Sequence, residues 1–404
     1  MTDIERLSTG LRVVHVPRKS LVAWCGIAVG AGSRDERDDE FGLAHFVEHT
    51  LFKGTVHRRS WHILNRMESV GGELNAYTTK EETMLYSVFP SEHLERAVEL
   101  LADLVKNSVF PHDELTREKD VVLEELASYR DVPAEAIADD FEDMMLAGSR
   151  LGHNILGNET HLRSLQSEHC QRYLTELYAP DNMVFFSVGP MEGERVMRLA
   201  QKHFGDLRRD LVRMPRTAPR ERQPEQRVVQ MGCHQSHTIV GTMVPGMYDS
   251  RRHALSLLNN LLGGPGMNSL LNVQLRERRG YVYTVESNLN LFTDCGLLEI
   301  YLGCDQSDLR SSRRVIDNIT DDLASNHLSP SRLAAAKKQY CGQLVVAADT
   351  AEFAAMTTGK TVLYHDAVPS VGDMIDHIQA VTAEDLRQAA ELIASPRLSQ
   401  LTFV

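Results

Sequence analysis

Two histidines and a glutamate lie close together in the stretch His45-Phe-Val-Glu48-His49. On a helix, residues three and four positions apart share a face, so these three side chains would project toward the same side. Two imidazoles can hold Zn²⁺ while a nearby carboxylate takes a proton from a water molecule that the metal polarises. The spacing therefore predicts a metal site for hydrolysis, although two surface or core histidines can also share it by chance.

A catalytic zinc usually has three protein ligands and one open position. The helical stretch from Thr116 to Leu126 offers Glu118, Glu124 and Glu125 as the third ligand. Glu118 and Glu125 are two helical turns apart and share a face that apolar residues partly bury, where a carboxylate needs a metal or a cation. The alternative, a solvated acidic helix with Lys119 as counter-ion, explains Glu124 better than it explains the other two.

Hydrophobic periodicity predicts the elements that position these residues. In the first half it indicates strands over 11–16, 24–29, 74–89 (two strands around the polar turn Thr79-Lys80-Glu81-Glu82) and 182–188, and helices over 42–53, 60–70, 92–105 and 112–129. In the second half it indicates strands over 237–244, 283–290 and 296–303, and helices over 251–262, 309–324 and 331–348.

The two halves repeat the same order of elements. Residues 43–54 align with 253–264, and residues 110–115 align with 328–333. An offset of about 210 to 218 residues indicates the duplication of a whole domain. We therefore expect an α+β protein with two homologous α/β-sandwich-like domains, each a mostly antiparallel sheet covered by helices. The expected boundaries are 1–207, an exposed Arg- and Pro-rich linker over 208–226, and 227–404.

Composition narrows the function further. The chain has 404 residues and a net charge of −13, which argues against nucleic-acid binding because that needs a cationic face. An apolar run long enough to cross a membrane is absent, and the N-terminus resembles neither a signal nor a transit peptide. The six cysteines are dispersed without a Cys-x-x-Cys pair, as in proteins of a reducing compartment. We expect a cytoplasmic protein without nucleic-acid or membrane partners.

Several longer motifs extend the pattern. They are Gly30-Ala-Gly-Ser-Arg34, Gly42-Leu-Ala-His-Phe-Val-Glu-His-Thr-Leu-Phe-Lys-Gly-Thr55, Gly71-Gly-Glu-Leu-Asn-Ala-Tyr-Thr78 and Leu275-Arg-Glu-Arg-Arg-Gly-Tyr-Val-Tyr283. With the acidic helix, they resemble the pitrilysin, insulysin and mitochondrial processing peptidase family, whose zinc motif is the inverted His-x-x-Glu-His. The resemblance covers nearly the whole chain.

The resemblance implies a role for each matching residue. One zinc ion per chain would be held by His45, His49 and Glu125, with Glu118 supporting the site from behind the ligands. Glu48 would be the general base that activates water and returns the proton to the leaving amine.

The resemblance also assigns residues to the substrate. Arg276 and Tyr283 in the second half would bind the substrate backbone or stabilise the oxyanion. Asn75 and Ala76 would form a sheet edge to which an extended peptide adds as a strand, next to a contact from Phe52. An ordinary strand, a surface arginine and a packed tyrosine are the alternatives that the residues alone leave open.

The resemblance implies a zinc metallo-endopeptidase that hydrolyses peptides or unfolded polypeptide segments, and a two-domain chain of this length implies a homodimer. Two alternatives stay open: a non-catalytic scaffold or partner subunit of a peptidase complex, and a maturation enzyme dedicated to one precursor. The chain departs from the family at Pro265 and Asn268 of a glycine-rich loop and at Tyr281, which affects how the second half touches substrate.

Overall fold

The computed structural model describes residues 3–368 and 370–404. The chain forms two compact units. Unit 1 consists of Met1–Leu126, His153–Arg216 and Val346–Ser370, and unit 2 consists of Ala127–Gly152, Thr217–Val345 and Val371–Val404. Each half of the sequence therefore contributes one segment to the unit that is built mainly from the other half. The linear boundaries expected at 207 and 226 stay a prediction.

The strands are β1 (Ile4–Arg6), β2 (Arg12–Pro17), β3 (Val22–Val29), β4 (Glu73–Thr78), β5 (Thr83–Pro90), β6 (Met183–Gly189), β7 (Gln226–Val229), β8 (Ser236–Val244), β9 (Val282–Leu291), β10 (Gly296–Cys304) and β11 (Ser399–Phe403). The helices are α1 (Leu43–Leu51), α2 (Ser60–Glu68), α3 (Leu94–Asn107), α4 (His112–Arg130), α5 (Pro133–Leu146), α6 (Glu159–Ser164), α7 (Ser167–Leu177), α8 (Gly193–Phe204), α9 (Arg252–Gly263), α10 (Leu309–Ser325), α11 (Pro330–Ala348), α12 (Ala351–His365), α13 (Val371–Ala380) and α14 (Ala383–Glu391).

Unit 1 contains a six-stranded sheet in the order β1-β2-β6-β3-β5-β4. All neighbours are antiparallel except β2 and β6, which run parallel with Arg12 opposite Val184. Alternate residues of β3 serve two hydrophobic cores: Cys25 and Ile27 pack with helices α1, α3, α4, α7 and α8, whereas Ala28 packs with α12 on the opposite face. Both faces of the central strands are buried, which explains their continuous apolar sequence.

Unit 2 repeats this topology with five strands in the order β7-β11-β8-β10-β9. Its outer pair, β7 and β11, is again parallel, and the other pairs are antiparallel. Val240 packs on the side of α9, α10, α11, α13 and α14, whereas its neighbour Ile239 packs on the side of α5. Matching strand order and matching parallel pairs confirm the predicted α+β fold with two related domains.

Each predicted strand and helix is present within a few residues of its expected bounds. Periodicity missed the short strands β1, β7 and β11 and the helices α5 to α8 and α12 to α14. It placed a polar turn between β4 and β5 and gave no indication of where the charged side chains of that turn lie. In the structure, Lys80, Glu81 and Glu82 of this turn are buried, and Glu81 pairs with Arg34 at 2.6 Å while Glu82 pairs with Lys360 at 2.9 Å.

The linker is mostly exposed, as its composition indicates, but its first part is attached to unit 1. Three of its arginines reach back. Arg209 donates to the carbonyl of Val105, and Arg213 and Arg216 both form ion pairs with Asp35. These contacts attach the segment up to Arg216 to unit 1.

Candidate metal centre

Gly42 directly precedes helix α1, and its backbone adopts φ +98°, which favours glycine. A Cβ atom at this position would lie 2.7 Å from the carbonyl oxygen of Leu156. A residue that precedes the helix in sequence accepts hydrogen bonds from the free amides at its start: Glu36 accepts from Gly42 N at 2.9 Å and from Ala44 N at 2.7 Å. The glutamate thus fixes the first turn of α1, which carries His45.

The apolar residues of α1 are buried, and this sets the orientation of the helix. Phe46, Val47 and Leu51 are fully buried in the core of unit 1. His45 and His49 share another face, with ring centroids 4.5 Å apart. The predicted side-by-side arrangement of the two imidazoles is therefore present.

Helix α4 brings Glu125 to this pair. Its Oε1 lies 3.8 Å from His45 Nε2, and its Oε2 lies 3.6 Å from His49 Nε2. One ligand atom from each of the three residues lies within 4.8 Å of the others, and the described part of the chain contains no second group of this kind. His45 is buried, whereas the side chain of Glu125 is 44% exposed, so solvent reaches one side of the cluster.

This arrangement fits a zinc ion. Ligand atoms that each lie about 2.0–2.2 Å from one tetrahedral Zn²⁺ are roughly 3.3–3.6 Å apart, close to the separations seen here. Burial and then the charge of His49 lower the pKa of His45 to about 3, so this imidazole is neutral near pH 7, as a metal ligand must be. Two imidazoles and one carboxylate leave a fourth position open, as in catalytic zinc sites.

Glu48 lies on the same helix and is largely buried. Burial raises the pKa of its carboxyl group, while a hydrogen bond from the Thr78 side chain and the charge of His49 oppose this effect. Its Oε2 is buried and lacks a hydrogen-bond partner among the described residues. A carboxylate with one unsatisfied oxygen beside two imidazoles can accept a proton from a bound water.

Glu118, two turns before Glu125 on α4, contacts His49 from behind. Its Oε1 lies 2.9 Å from His49 Nδ1, and its Oε2 lies 2.6 Å from Lys53 Nζ. Burial raises the pKa of Glu118, but the hydrogen bonds from His49 and Lys53 outweigh burial, so the pKa lies below its ordinary value. For His49, burial lowers the pKa, and Glu118, Glu125 and Glu48 together raise it above the ordinary value.

The residues expected to hold substrate on unit 1 lie at the edge of its sheet. Strand β4 is the last strand in the sheet and contacts α1. Asn75 is exposed on β4, and Ala76 packs partly against the core. Phe52 directly follows α1 and is also partly buried against the core.

Arg276 and Tyr283 belong to unit 2. Arg276 lies in a π-helical turn, Asn272–Glu277, and Tyr283 is the second residue of β9. The Tyr283 side chain is exposed, and its hydroxyl donates to Asp305 Oδ2 at 3.1 Å. The loop with the unusual residues Pro265 and Asn268 is tied to α11, because the Asn268 amide exchanges two hydrogen bonds with Gln339, at 3.0 and 3.1 Å.

Sequence reasoning missed four residues around the centre: Glu36, Lys53, Thr78 and His153. Lys53 is four residues after His49, and Thr78 ends one of the quoted motifs, so their positions in the sequence could have indicated that they lie near the centre. His153 contacts Glu36 through Nε2···Oε2 at 2.8 Å although 117 residues separate them, and no local pattern indicates that contact.

None of the helices in the described part of the chain is long and apolar enough to span a membrane.

The family described as Insulinase (Peptidase family M16) matches residues 13–159, and the one described as Peptidase M16 inactive domain matches residues 164–340.

Relatives with similar sequences are named zinc proteases. An uncharacterized zinc protease of Mycobacterium tuberculosis is 33% identical over 399 residues, covering 97% of this chain and 90% of the relative. One of Bacillus subtilis is 30% identical over 377 residues, covering 93% and 91%.

Two solved structures share the fold. A protease from Helicobacter pylori has a TM-score of 0.91 at 19% identity, covering 100% of this chain and 99% of that one. A peptidase M16 inactive domain from Pseudomonas fluorescens has a TM-score of 0.92 at 18% identity, covering 100% and 98%.

Proposed function

Since this chain belongs to the insulinase family, peptidase family M16, we propose that it is a zinc-dependent endopeptidase that hydrolyses peptides or unfolded polypeptide segments. The observation that carries the proposal is the convergence of His45, His49 and Glu125 beside the buried carboxylate of Glu48. Relatives named zinc proteases support the same activity.

In this proposal His45, His49 and Glu125 hold one zinc ion per chain. Bound there, Zn²⁺ supplies a Lewis acid that polarises the scissile carbonyl and makes water a stronger acid. Glu48 accepts a proton from the attacking water and donates it to the departing amine. The partner-free Oε2 of Glu48 suits this step because no hydrogen bond with another described residue has to be broken first.

The substrate would lie along β4. An edge strand offers unpaired main-chain groups, so an extended peptide adds to the sheet beside Asn75 and Ala76 without depending on its own side chains. Phe52 would contact a substrate side chain near the metal. We also assign Arg276 and Tyr283 to the substrate, as a cation and a phenol that bind its backbone or stabilise negative charge on the carbonyl oxygen.

Metal analysis combined with peptide cleavage tests this proposal. The purified chain should contain about one zinc per chain and should cleave a mixed peptide library. Glu48→Gln should retain the zinc and lose about 10²–10⁴-fold in rate, the usual contribution of a general base. Bound zinc without cleavage by the native chain would refute the enzyme and favour a non-catalytic subunit. Undiminished cleavage by Glu48→Gln would refute Glu48 as the base.

We further propose a cytoplasmic homodimer. All six cysteines are free thiols, which supports a reducing compartment. The homodimer rests on the family resemblance and on a chain length that provides two domains. Size-exclusion chromatography with light scattering measures the mass of the protein in solution. A monomer of 45.4 kDa that cleaves peptides at the full rate would refute the dimer as the active form.

A further inference from the structure

Lys53 lies two residues past the end of α1 and contacts Glu118, not solvent alone. Its Nζ is 2.6 Å from Glu118 Oε2, and the other oxygen of the same carboxylate is 2.9 Å from His49 Nδ1. One carboxylate thus bridges an ammonium group and an imidazole. The side chain of Glu118 is 9% exposed and that of Lys53 is 26% exposed, so both groups of the ion pair are partly shielded from water.

The chemistry of the three groups fixes the direction of these hydrogen bonds. An ammonium group only donates and an ionised carboxylate only accepts. His49 must therefore carry its proton on Nδ1 to bond with Glu118, which leaves the lone pair of Nε2 facing Glu125. A proton on Nδ1 is the tautomer that an Nε2 metal ligand requires, and the hydrogen bond also fixes the plane of the ring.

Glu118 depends on a cation to stay in this position. A buried carboxylate without a partner is costly, and Glu48 and Glu125 add further negative charge nearby. Lys53 supplies a positive charge on the side away from His49. It also lies at the C-terminal end of α1, where the helix dipole favours a cation.

We propose that Lys53 is a positioning residue that acts through Glu118 on His49 and thereby strengthens metal binding. The proposal rests on the metal site proposed above. Without the ammonium group, Glu118 rotates or draws in water, and the Nδ1 hydrogen bond weakens. Metal affinity then falls even though every ligand is still present. Partners behind a ligating histidine typically contribute about 10–100-fold in metal affinity.

Zinc affinity of the full-length chain, measured by competition with a chromogenic chelator, tests this. Lys53→Met should weaken zinc binding about tenfold and Glu118→Gln at least as much. Because Lys53 acts through Glu118, the double variant should be at most about twofold weaker than Glu118→Gln alone. Lys53→Arg, which keeps the cation, should bind zinc almost as the native chain does.

Lys360→Met is the matched control. Lys360 also pairs with a buried carboxylate of unit 1, that of Glu82 at 2.9 Å, but it is not part of the metal site. Its loss should leave zinc affinity unchanged. Tryptophan fluorescence of the metal-free variants reports whether each one is folded, and Lys53→Arg and Glu118→Gln keep the comparison available if Lys53→Met does not fold.

Several outcomes would overturn the inference. Native zinc affinity in Lys53→Met would do so, as would fully additive losses in the double variant or an equal loss in Lys360→Met. Each of these leaves the zinc site itself intact. A native chain that binds no zinc would instead refute the proposed function and the role of Lys53 with it.

Discussion

Glu36→Gln should destabilise unit 1 by about 2–4 kcal/mol, because its carboxylate accepts hydrogen bonds that an amide cannot all accept. Both oxygens are used: Oε1 accepts from Ala44 N, and Oε2 accepts from Gly42 N and lies 2.8 Å from His153 Nε2. The side chain of Glu36 is 0% exposed, so water cannot replace a lost partner.

The magnitude follows from counting groups. If the amide oxygen of the glutamine keeps the two contacts of Oε2, its NH₂ group must face the Ala44 amide, donor against donor. Ala44 is fully buried. A charged hydrogen bond contributes about 1.5–3 kcal/mol, and a buried donor without an acceptor costs about 1–3 kcal/mol. The two effects overlap, which gives the range above.

Tryptophan fluorescence during urea unfolding measures this change in unit 1 selectively. The chain has only two tryptophans, Trp24 in β3 and Trp61 in α2, and both belong to unit 1. Glu95→Gln is the control, because Glu95 pairs with Lys202 at an exposed position and its loss should leave the urea midpoint almost unchanged. A Glu36→Gln variant as stable as the control would refute the reasoning that Glu36 fixes the start of α1.

Three further predictions concern the same unit. Burial raises the pKa of Asp103, but the hydrogen bonds of its carboxylate outweigh burial, so the pKa lies below the ordinary value. The contribution of Asp103 to the free energy of unfolding is therefore complete above about pH 4 and is lost as the pH falls further. Asp103→Asn should lower stability at pH 7 by about 2–3 kcal/mol and flatten its decline in acid, as urea titrations at several pH values would show; an unchanged acid decline would contradict this. Gly42→Ala should destabilise by about 1–3 kcal/mol because of the positive φ and the close Leu156 carbonyl, and a fluorescence midpoint equal to that of the native chain would argue against strain there. Free zinc at 100 times its Kd should stabilise unit 1 by about 2.7 kcal/mol, and a chelator or the double change His45→Ala/His49→Ala should abolish the gain; stabilisation that persists in the double variant would place the zinc elsewhere.

Local spacing predicted the elements of the centre well. The period of α1 placed His45 and His49 on one face, and the period of α4 placed Glu118 and Glu125 on another, because a helix of known pitch fixes such relations. Which residue of α4 faces the two histidines of α1 could not be predicted from spacing in the same way. In the sequence, helical spacing favoured Glu118 and Glu125 over Glu124, and only the family resemblance singled out Glu125 as the ligand.

Contacts between distant segments could not be predicted from the sequence. Nothing in the sequence indicated that the charged turn between β4 and β5 is buried, since charges are usually exposed. It is buried because Arg34 and Lys360, separated from it by 47 and 278 residues, meet its two glutamates. Likewise, periodicity missed α5 and α12, and an apolar helix face would not by itself specify which sheet the helix covers.

The two units differ at the positions of the zinc motif, so hydrolysis is expected in only one of them. Leu255 and Leu258 on α9 correspond to His45 and Glu48 on α1, and both leucines are fully buried in the core of unit 2. The change extends beyond the motif: with Leu115 aligned to Leu333, the counterpart of Glu118 is Ala336, which is also buried in that core.

The counterparts of His45, Glu48 and Glu118 therefore fill an apolar core in unit 2. The counterpart of His49 is the polar residue Asn259, so the replacement is not apolar at every position. A metal ligand set is strengthened by polar, paired groups behind it, whereas an unpaired polar group is costly in an apolar core. The five residues from His45 to His49 are therefore not sufficient to form the metal centre. The pairing of Glu118 with Lys53 and the capping of α1 by Glu36 provide the polar surroundings that let two imidazoles stay next to a hydrophobic core.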